Sequence, residues 1–301
     1  MKTILIKIGS RGSELALKQT DIVFAALKAA DPSVSVEVHV VQTRGDVDQQ
    51  PIPLDTIGKG WFTREIEDEL LRGEIDIAVH SLKDMAEGMP PGLMIGAYLP
   101  REDARDVLIT KNGVSYQELK RGAIIGTDSS RRQVQMLALR PDARMKSIRG
   151  NVPTRLQKLQ SEEYDAIILA AAGLKRLGME KKITHYFALT DIIPAPGQGI
   201  LAVQTRRDDT ELEQILARIN DLEAAQAATL ERLFSRTVGG GCKAPTGAYA
   251  VKGPEGWTLT AMIAAANGRI IRGEMSTQLD GDFQIGQQLA KSLLITRDAE
   301  K

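Results

Sequence analysis

The only cysteine in the chain, Cys242, closes a run of three glycines and is followed three residues later by Pro245. A lone thiol cannot form an internal disulfide, so it is either a small buried apolar residue or a chemical handle. Glycines let the backbone approach a ligand closely, which a cysteine packed in a core does not require. We therefore interpret Cys242 as a functional thiol.

Positive side chains recur beside glycine-rich turns, most clearly at Arg131 and Arg132, which follow Thr127 and Ser129 at a predicted helix start. Cations are unfavourable there unless an anion also binds, and guanidinium groups pair well with carboxylates or phosphates. The chain contains no phosphate-binding GxxxxGK[ST] loop, yet the pattern alone does not separate a phosphate from a small polycarboxylate. The other cationic candidates are Arg11, Arg149, Arg155, Arg176, Lys59 and Lys83.

The stretch from His80 through Ser81 to Lys83 and Asp84 places an acid beside a base where an apolar run ends. Such a pair is usually a surface salt bridge. Ligands of α/β sheets bind beyond the carboxyl ends of strands, however, and this position favours a functional Asp84. We interpret His80 as a satisfied core residue. With three histidines and one cysteine scattered along the chain, no metal site is predicted.

Short apolar runs alternate with amphipathic stretches, which predicts an α/β protein with mainly parallel sheets. The predicted strands are 4–8, 34–41, 75–79, 124–125 and 166–169, and the predicted helices are 13–30, 63–71, 129–139 and 153–160. From residue 221 a long helix leads to the glycine run, and three strand-like runs and a last helix follow. This tail predicts a smaller α+β domain.

The chain also resembles itself. Three motifs recur in the same order: Ile8-Gly9-Ser10-Arg11 as Ile125-Gly126-Thr127-Asp128, Arg44-Gly45-Asp46-Val47 as Arg149-Gly150-Asn151-Val152, and Asp76-Ile77-Ala78-Val79 as Asp165-Ala166-Ile167-Ile168. A duplicated doubly wound lobe follows, with a ligand cleft expected where the two copies face each other. The predicted domains are 1–99 with 200–218, then 100–199, then 219–301.

Composition narrows the classes of partner. The chain has 301 residues with 39 Lys+Arg and 39 Asp+Glu, so no overall field favours nucleic acid or an anionic membrane. The apolar run at the N-terminus is too short for a signal peptide, and no stretch reaches the length of a membrane span. A cytoplasmic protein is expected.

Nine motifs together resemble the porphobilinogen deaminase, or hydroxymethylbilane synthase, family over essentially the whole chain. They begin at Ile8, Thr43, Gly58, Ala78, Arg101, Ser147, Leu174, Pro194 and Gly240. The resemblance implies two lobes similar to type II periplasmic binding proteins and a third domain that carries the cysteine. It implies a transferase that joins four porphobilinogen units head to tail, with loss of ammonia, on a dipyrromethane cofactor in thioether linkage to Cys242.

The resemblance also implies roles for single residues. Asp84 is the expected catalytic group, because a carboxylate stabilises the cation left when ammonia departs. Cofactor contacts are expected, besides Cys242, from Ser13, Asp46, Ser81, Lys83, Thr127, Ser129, Arg131, Arg132, Arg149 and Gly150. Substrate contacts are expected from Arg11, Lys59, Phe62, Arg155, Arg176 and Gln198. A monomer is expected.

Several positions depart from the family pattern, among them Asp55, Ala86, Ser130 and Gln204, the last standing where glutamate is common. Asp128 stands where a small hydroxyl residue is usual, and we expect its carboxylate either to cap the following helix or to pair with the next two arginines. The alternative function is a non-catalytic cytoplasmic binding protein for a small polycarboxylate.

Overall fold

The computed structural model describes residues 3–47, 63–239, 245–278 and 283–299. It divides into two compact units, the first formed by Met1–Arg101 with Ile200–Ala225 and the second by Glu102–Gly199 with Gln226–Lys301. We call the first unit the first lobe and the stretch Glu102–Gly199 the second lobe. Elements are numbered in chain order. Within the described residues, no helix is both long and apolar enough to cross a bilayer.

The first lobe is built on a five-stranded mixed sheet of order β2-β1-β3-β10-β4. Its strands are β1 (Ile4–Ser10), β2 (Val34–Val40), β3 (Ile77–Ser81), β4 (Leu93–Tyr98) and β10 (Leu201–Arg206). Its helices are α1 (Glu14–Ala30), α2 (Arg44–Val47), α3 (Arg64–Arg72) and α7 (Thr210–Ala217). Strand β1 runs parallel to β2 and β3, whereas β10 runs antiparallel to β3 and β4.

The second lobe repeats this plan in a sheet of order β7-β6-β8-β5-β9. Its strands are β5 (Asp106–Thr110), β6 (Ile124–Gly126), β7 (Arg144–Lys146), β8 (Ala166–Ala170) and β9 (His185–Tyr186). Its helices are α4 (Ser130–Leu139), α5 (Val152–Ser161) and α6 (Ala171–Arg176). Strand β6 runs parallel to β7 and β8, and β5 runs antiparallel to β8 and β9.

The predicted duplication is confirmed at the level of single hydrogen bonds. In the first lobe, the Lys7 amide donates to the Asp76 carboxylate and the Asp76 amide donates to the Lys7 carbonyl, both at 2.8 Å. In the second lobe, Ile124 and Asp165 exchange the same two bonds, also at 2.8 Å. The two aspartates thus perform the same task at the start of β3 and β8, where each secures the central strand to its parallel neighbour.

The expectation of mainly parallel sheets is wrong, since each five-stranded sheet has two parallel and two antiparallel ladders. The antiparallel member is β10 in the first lobe and β5 in the second. These strands are the first that the chain forms after it passes from one unit to the other. The prediction lacked them, because the crossing determines their direction and no local periodicity reveals it.

The C-terminal part forms a three-stranded antiparallel sheet with its own core, which agrees with the small α+β domain predicted from the sequence. Its elements are α8 (Leu222–Val238), β11 (Thr246–Gly253), β12 (Gly256–Ala264), β13 (Ile270–Thr277) and α9 (Gln284–Asp298). Phe234 of α8, Trp257 of β12 and Leu289 of α9 are buried together. The carboxylate of Glu231 is also buried and accepts 2.7 Å hydrogen bonds from the amides of Gly197 and Ala250, which ties this sheet to the second lobe.

Candidate functional site

In the first lobe, the structure brings five predicted site residues to one edge of the sheet. Strands β1 and β3 are parallel neighbours, so their carboxyl ends meet. Arg11 and Ser13 follow the end of β1, and Ser81, Lys83 and Asp84 lie at the end of β3. The segments that follow β1 and β3 therefore lie side by side.

Hydrogen bonds and burial hold this edge in place. The Ser13 hydroxyl begins α1 by accepting from the Ala16 amide at 3.3 Å, and Gln19 on the same helix donates to the Ser81 hydroxyl at 2.8 Å. Leu82 is fully buried and anchors a single 3₁₀ turn that ends at Asp84. Because the turn is anchored through Leu82, the Asp84 carboxylate is exposed to solvent at a defined position.

Behind this edge, His80 takes part in a buried polar chain. Its Nε2 lies 3.0 Å from the Gln204 amide oxygen, and the Gln204 amide nitrogen donates to the Glu67 carboxylate at 3.0 Å. All three side chains are buried, which confirms His80 as a satisfied core residue. An amide at position 204 can accept from the imidazole and donate to Glu67 at once, whereas an ionised glutamate could only accept.

Burial shifts the pKa values of the two titratable residues in this hydrogen-bonded row, His80 and Glu67. Burial lowers the pKa of His80 to about 4, aided by the charge of Arg11 and opposed by the hydrogen bond to Gln204. Burial raises the pKa of Glu67, although its hydrogen bond to Gln204 acts in the other direction. At neutral pH the imidazole is therefore uncharged, and the core of the first lobe contains no charge at His80.

This shift predicts a pH dependence of stability. In the unfolded chain His80 takes up a proton near pH 6.5, whereas in the folded protein it does so only near pH 4. The free energy of unfolding should therefore fall by roughly 3 kcal/mol as the pH is lowered from 6.5 to 4. The raised pKa of Glu67 acts oppositely at the acid end, because the folded state takes up that proton more readily. His80→Asn should flatten the dependence when unfolding in urea is measured at a series of pH values. An unchanged slope would show that another group controls it.

In the second lobe, the loops after β6 and β7 form the corresponding edge. The Thr127 amide donates to the Lys146 carbonyl at 3.0 Å, and the Thr127 hydroxyl accepts from the Ser129 amide at 3.2 Å. The Ser129 hydroxyl begins α4 by accepting from the Arg132 amide at 3.4 Å. Thr127 and Ser129 are thus placed as predicted at a strand end and a helix start.

Three more predicted residues follow β7: Arg149 and Gly150 lie in the loop, and Arg155 lies in the first turns of α5. Gly150 has a φ of 114°, a conformation that side chains rarely adopt, and its carbonyl accepts from Arg155 Nε at 2.7 Å. A Cβ at position 150 would also lie within 2.7 Å of the Thr154 side chain. The loop therefore requires glycine at this position. The Gly150 carbonyl holds the Arg155 guanidinium at the edge of the lobe.

Arg131 and Arg132 converge on a residue that the sequence analysis missed. The Asp106 carboxylate, fully buried at the start of β5, lies 2.6 Å from Arg131 Nη1 and 2.7 Å from Arg132 Nη2. Burial alone would raise the pKa of Asp106, but the two guanidinium charges outweigh burial and hold that pKa far below its ordinary value. The available signal was an acid directly before the apolar run 107–109, since a charge in such a position needs a partner.

Gln198 belongs to the same cluster. Its amide donates to the Asp106 carboxylate at 3.0 Å and to the Ala104 carbonyl at 2.7 Å, and Arg131 also donates to the Ile193 carbonyl at 2.7 Å. The three predicted ligand contacts Arg131, Arg132 and Gln198 are therefore buried and bonded within the protein. Their contact with a ligand stays a prediction.

Removal of the central charge tests this cluster. Asp106→Asn keeps the size of the side chain but leaves two buried guanidinium groups without their counter-charge, so the free energy of unfolding should fall by about 3–5 kcal/mol. The control is Asp21→Asn, which removes one carboxylate from an exposed pair with Lys18. Urea denaturation measures both variants. A loss in Asp106→Asn no larger than in the control would contradict the assignment.

Arg176, at the end of α6, is positioned by its own hydrogen bond. Its Nη2 donates to the Gly199 carbonyl at 2.6 Å, and burial lowers its pKa to about 10 while Glu102 opposes the shift. The guanidinium therefore remains charged at neutral pH. It is placed where the chain leaves the second lobe.

The expectation for Asp128 is wrong on both counts. The N-cap of α4 is Ser129, and the partner of the Asp128 carboxylate is Arg149, whose Nε lies 3.1 Å away. Arg131 and Arg132 are too deeply buried on Asp106 to serve as its partners.

Four predicted residues have no described side-chain environment. Asp46 lies in α2, and nothing further is described for it. Lys59, Phe62 and Cys242 lie outside the described residues. Their roles remain predictions from the sequence.

Comparison with known families covers nearly the whole chain. Residues 6–214 match the family model described as porphobilinogen deaminase, dipyromethane cofactor binding domain, and residues 225–295 match porphobilinogen deaminase, C-terminal domain. Proteins named porphobilinogen deaminase are 47% identical in Lysinibacillus sphaericus and 46% identical in Geobacillus kaustophilus, each over 96% of this chain and 93% of the relative. The one from Roseiflexus castenholzii is 44% identical over 96% of this chain and 95% of its own length.

Solved structures similar to this chain include the methionine binding protein MetQ, with 12% identity and a TM-score of 0.46 over 75% of this chain and 94% of that one. A putative methionine-binding lipoprotein from Bacillus subtilis has 12% identity and a TM-score of 0.44 over 73% and 92%. Likeness at this level carries no argument about ligand or activity.

Proposed function

The chain belongs to the porphobilinogen deaminase family, and on this premise we propose how its residues divide the work of the reaction. It is an enzyme, a transferase of tetrapyrrole biosynthesis that joins four porphobilinogen units into hydroxymethylbilane with loss of ammonia. Its cofactor is dipyrromethane. The alternative of a non-catalytic binding protein receives no support from the relatives.

The donor chemistry of the two edges fits such a cofactor and substrate. Every pyrrole unit carries an acetate and a propionate, so the bound chain presents many carboxylates. Guanidinium and hydroxyl groups are suitable donors for them, and the structure holds Arg149, Arg155 and Ser129 at one edge and Arg11 and Ser13 at the other. Bound through Cys242, the cofactor would supply the growing end to which substrate is added.

Asp84 is the group to which we assign the chemical step. The observation that supports it is the exposed carboxylate on a turn anchored by buried Leu82, at the same sheet edge as Arg11 and Ser13. When the protonated aminomethyl group of porphobilinogen leaves as ammonia, its positive charge stays on the ring system. A fixed carboxylate nearby stabilises that charge as it develops and accepts hydrogen bonds from pyrrole N–H groups.

The variant Asp84→Asn tests this role. It keeps the shape of the side chain and removes the charge, so the turnover number should fall by roughly two to three decades, as is typical when one electrostatic stabiliser is lost. The melting temperature should change little because the side chain is exposed. Asp68→Asn removes a comparable exposed charge from α3 and should retain normal turnover. Near-normal turnover in Asp84→Asn would show that another group carries the step.

The remaining assignments complete the proposal. The proposed cofactor contacts are Cys242, Ser13, Asp46, Ser81, Lys83, Thr127, Ser129, Arg131, Arg132, Arg149 and Gly150. The proposed substrate contacts are Arg11, Lys59, Phe62, Arg155, Arg176 and Gln198. The three-domain division at 1–99 with 200–218, 100–199 and 219–301 is part of the same proposal. We further propose a cytoplasmic monomer. The equal numbers of acidic and basic residues support the proposal that it has no nucleic-acid partner.

A further inference from the structure

One carboxylate in the second lobe lies against an arginine that the proposed function assigns to ligand binding. Asp128 Oδ2 is 3.1 Å from Arg149 Nε, and Asp128 Oδ1 accepts a hydrogen bond from the Ser147 hydroxyl. These contacts connect the loop after β6 to the loop after β7. In this conformation the protein itself supplies a carboxylate to Arg149.

Local folding does not explain this carboxylate. Helix α4 is already capped by the Ser129 hydroxyl, which accepts from the Arg132 amide. The two loops are also joined without Asp128, through the Thr127 amide and the Lys146 carbonyl at 3.0 Å. The contacts of Asp128 with Ser147 and Arg149 are therefore additional to the bonds that begin the helix and align the strands.

The exposure of the two side chains decides how strongly Asp128 and Arg149 attract each other. The Asp128 side chain is 37% exposed and that of Arg149 is 27% exposed, so water and ions reach both groups. Exposed pairs of this kind are weak, in contrast to the buried pairs of Asp106. A carboxylate of the ligand can thus replace Asp128 at Arg149, but it must do so against the repulsion of a negative charge that stays nearby.

We propose that Asp128 is an internal counter-ion that competes with ligand carboxylates for Arg149 and lowers the affinity of this chain for porphobilinogen. The inference rests on the proposed function and adds to it, since it requires Arg149, assigned above to the cofactor, also to receive a carboxylate of incoming porphobilinogen. It assigns to Asp128 a control of affinity rather than of the chemical step. Charge, and not the shape of the side chain, is the property that matters.

The test compares Asp128→Asn with the unaltered protein. The Asn variant should lower the KM for porphobilinogen about two- to fivefold, the range that an exposed ion pair supports, and leave kcat within about twofold. Cofactor-free protein mixed with porphobilinogen should gain the cofactor mass faster by a similar factor, as followed by intact-mass spectrometry. Both differences should shrink at high salt, because salt screens exposed charges.

Two further variants serve as controls. Asp128→Glu keeps the charge and should leave KM near that of the unaltered protein. Glu180→Gln removes an exposed charge elsewhere in the second lobe and should change neither KM nor the loading rate. A KM in Asp128→Asn that is unchanged or raised would overturn the proposal, the latter by showing that Asp128 positions Arg149 for the ligand.

Arg149→Ala separates this inference from the proposed function. If competition occurs at Arg149, this variant raises KM, and adding Asp128→Asn to it gives no further gain. If Arg149→Ala raises KM while Asp128→Asn alone has no effect, the competition is refuted and the assignment of Arg149 stands. If Arg149→Ala leaves KM and the loading rate unchanged, Arg149 does not bind the ligand, and both the competition by Asp128 and the assignment of Arg149 are refuted. Absence of any turnover in the unaltered protein would refute the proposed function itself.

Discussion

The second lobe depends on one buried carboxylate. Asp106 is cut off from water, and its charge is tolerated only because Arg131 and Arg132 donate to it from the first turn of α4. The same cluster reaches the end of the lobe, because Gln198 also donates to Asp106 and Arg131 donates to the Ile193 carbonyl. The start of α4, the start of β5 and the segment by which the chain leaves the lobe are thereby held in one arrangement. Ser129, the N-cap of α4, stands directly before the two arginines that hold this arrangement.

The protein uses one plan of strands twice, but the proposed catalytic acid stands in only one copy. Asp76 and Asp165 make the same pair of hydrogen bonds, so residues counted from them correspond between the lobes. Asp84 in the first lobe then corresponds to Gly173 in the second. The second lobe instead carries charge on arginines, some neutralised in its core and some near the surface. Its charges therefore fall into two groups, which differ in burial and in how easily a ligand can compete for them.

Much of the fold followed from local patterns, and the part that did not has a physical reason. Strands at the centres of the sheets were apolar runs, and the helices after β1 and β6 began at Ser13 and Ser129. Asp76 and Asp165 were recognised as a repeat because duplicated residues keep their neighbours. The antiparallel strands β5 and β10 were missed since their direction is set by where the chain crosses between units. The burial of Asp106 and the pairing of Asp128 with Arg149 depend on contacts between distant segments, which spacing along one chain does not reveal. For Cys242, the sequence remains the only source of its assignment.

Covalent attachment of the cofactor is the central chemical claim, and the mass of the intact purified protein tests it most directly. The chain has a single cysteine, so a thioether can form at one position only. We expect the active protein to be heavier than its sequence by two linked pyrrole units, with the added mass on the peptide that contains Cys242. Active protein in which Cys242 is an unmodified thiol would contradict the claim.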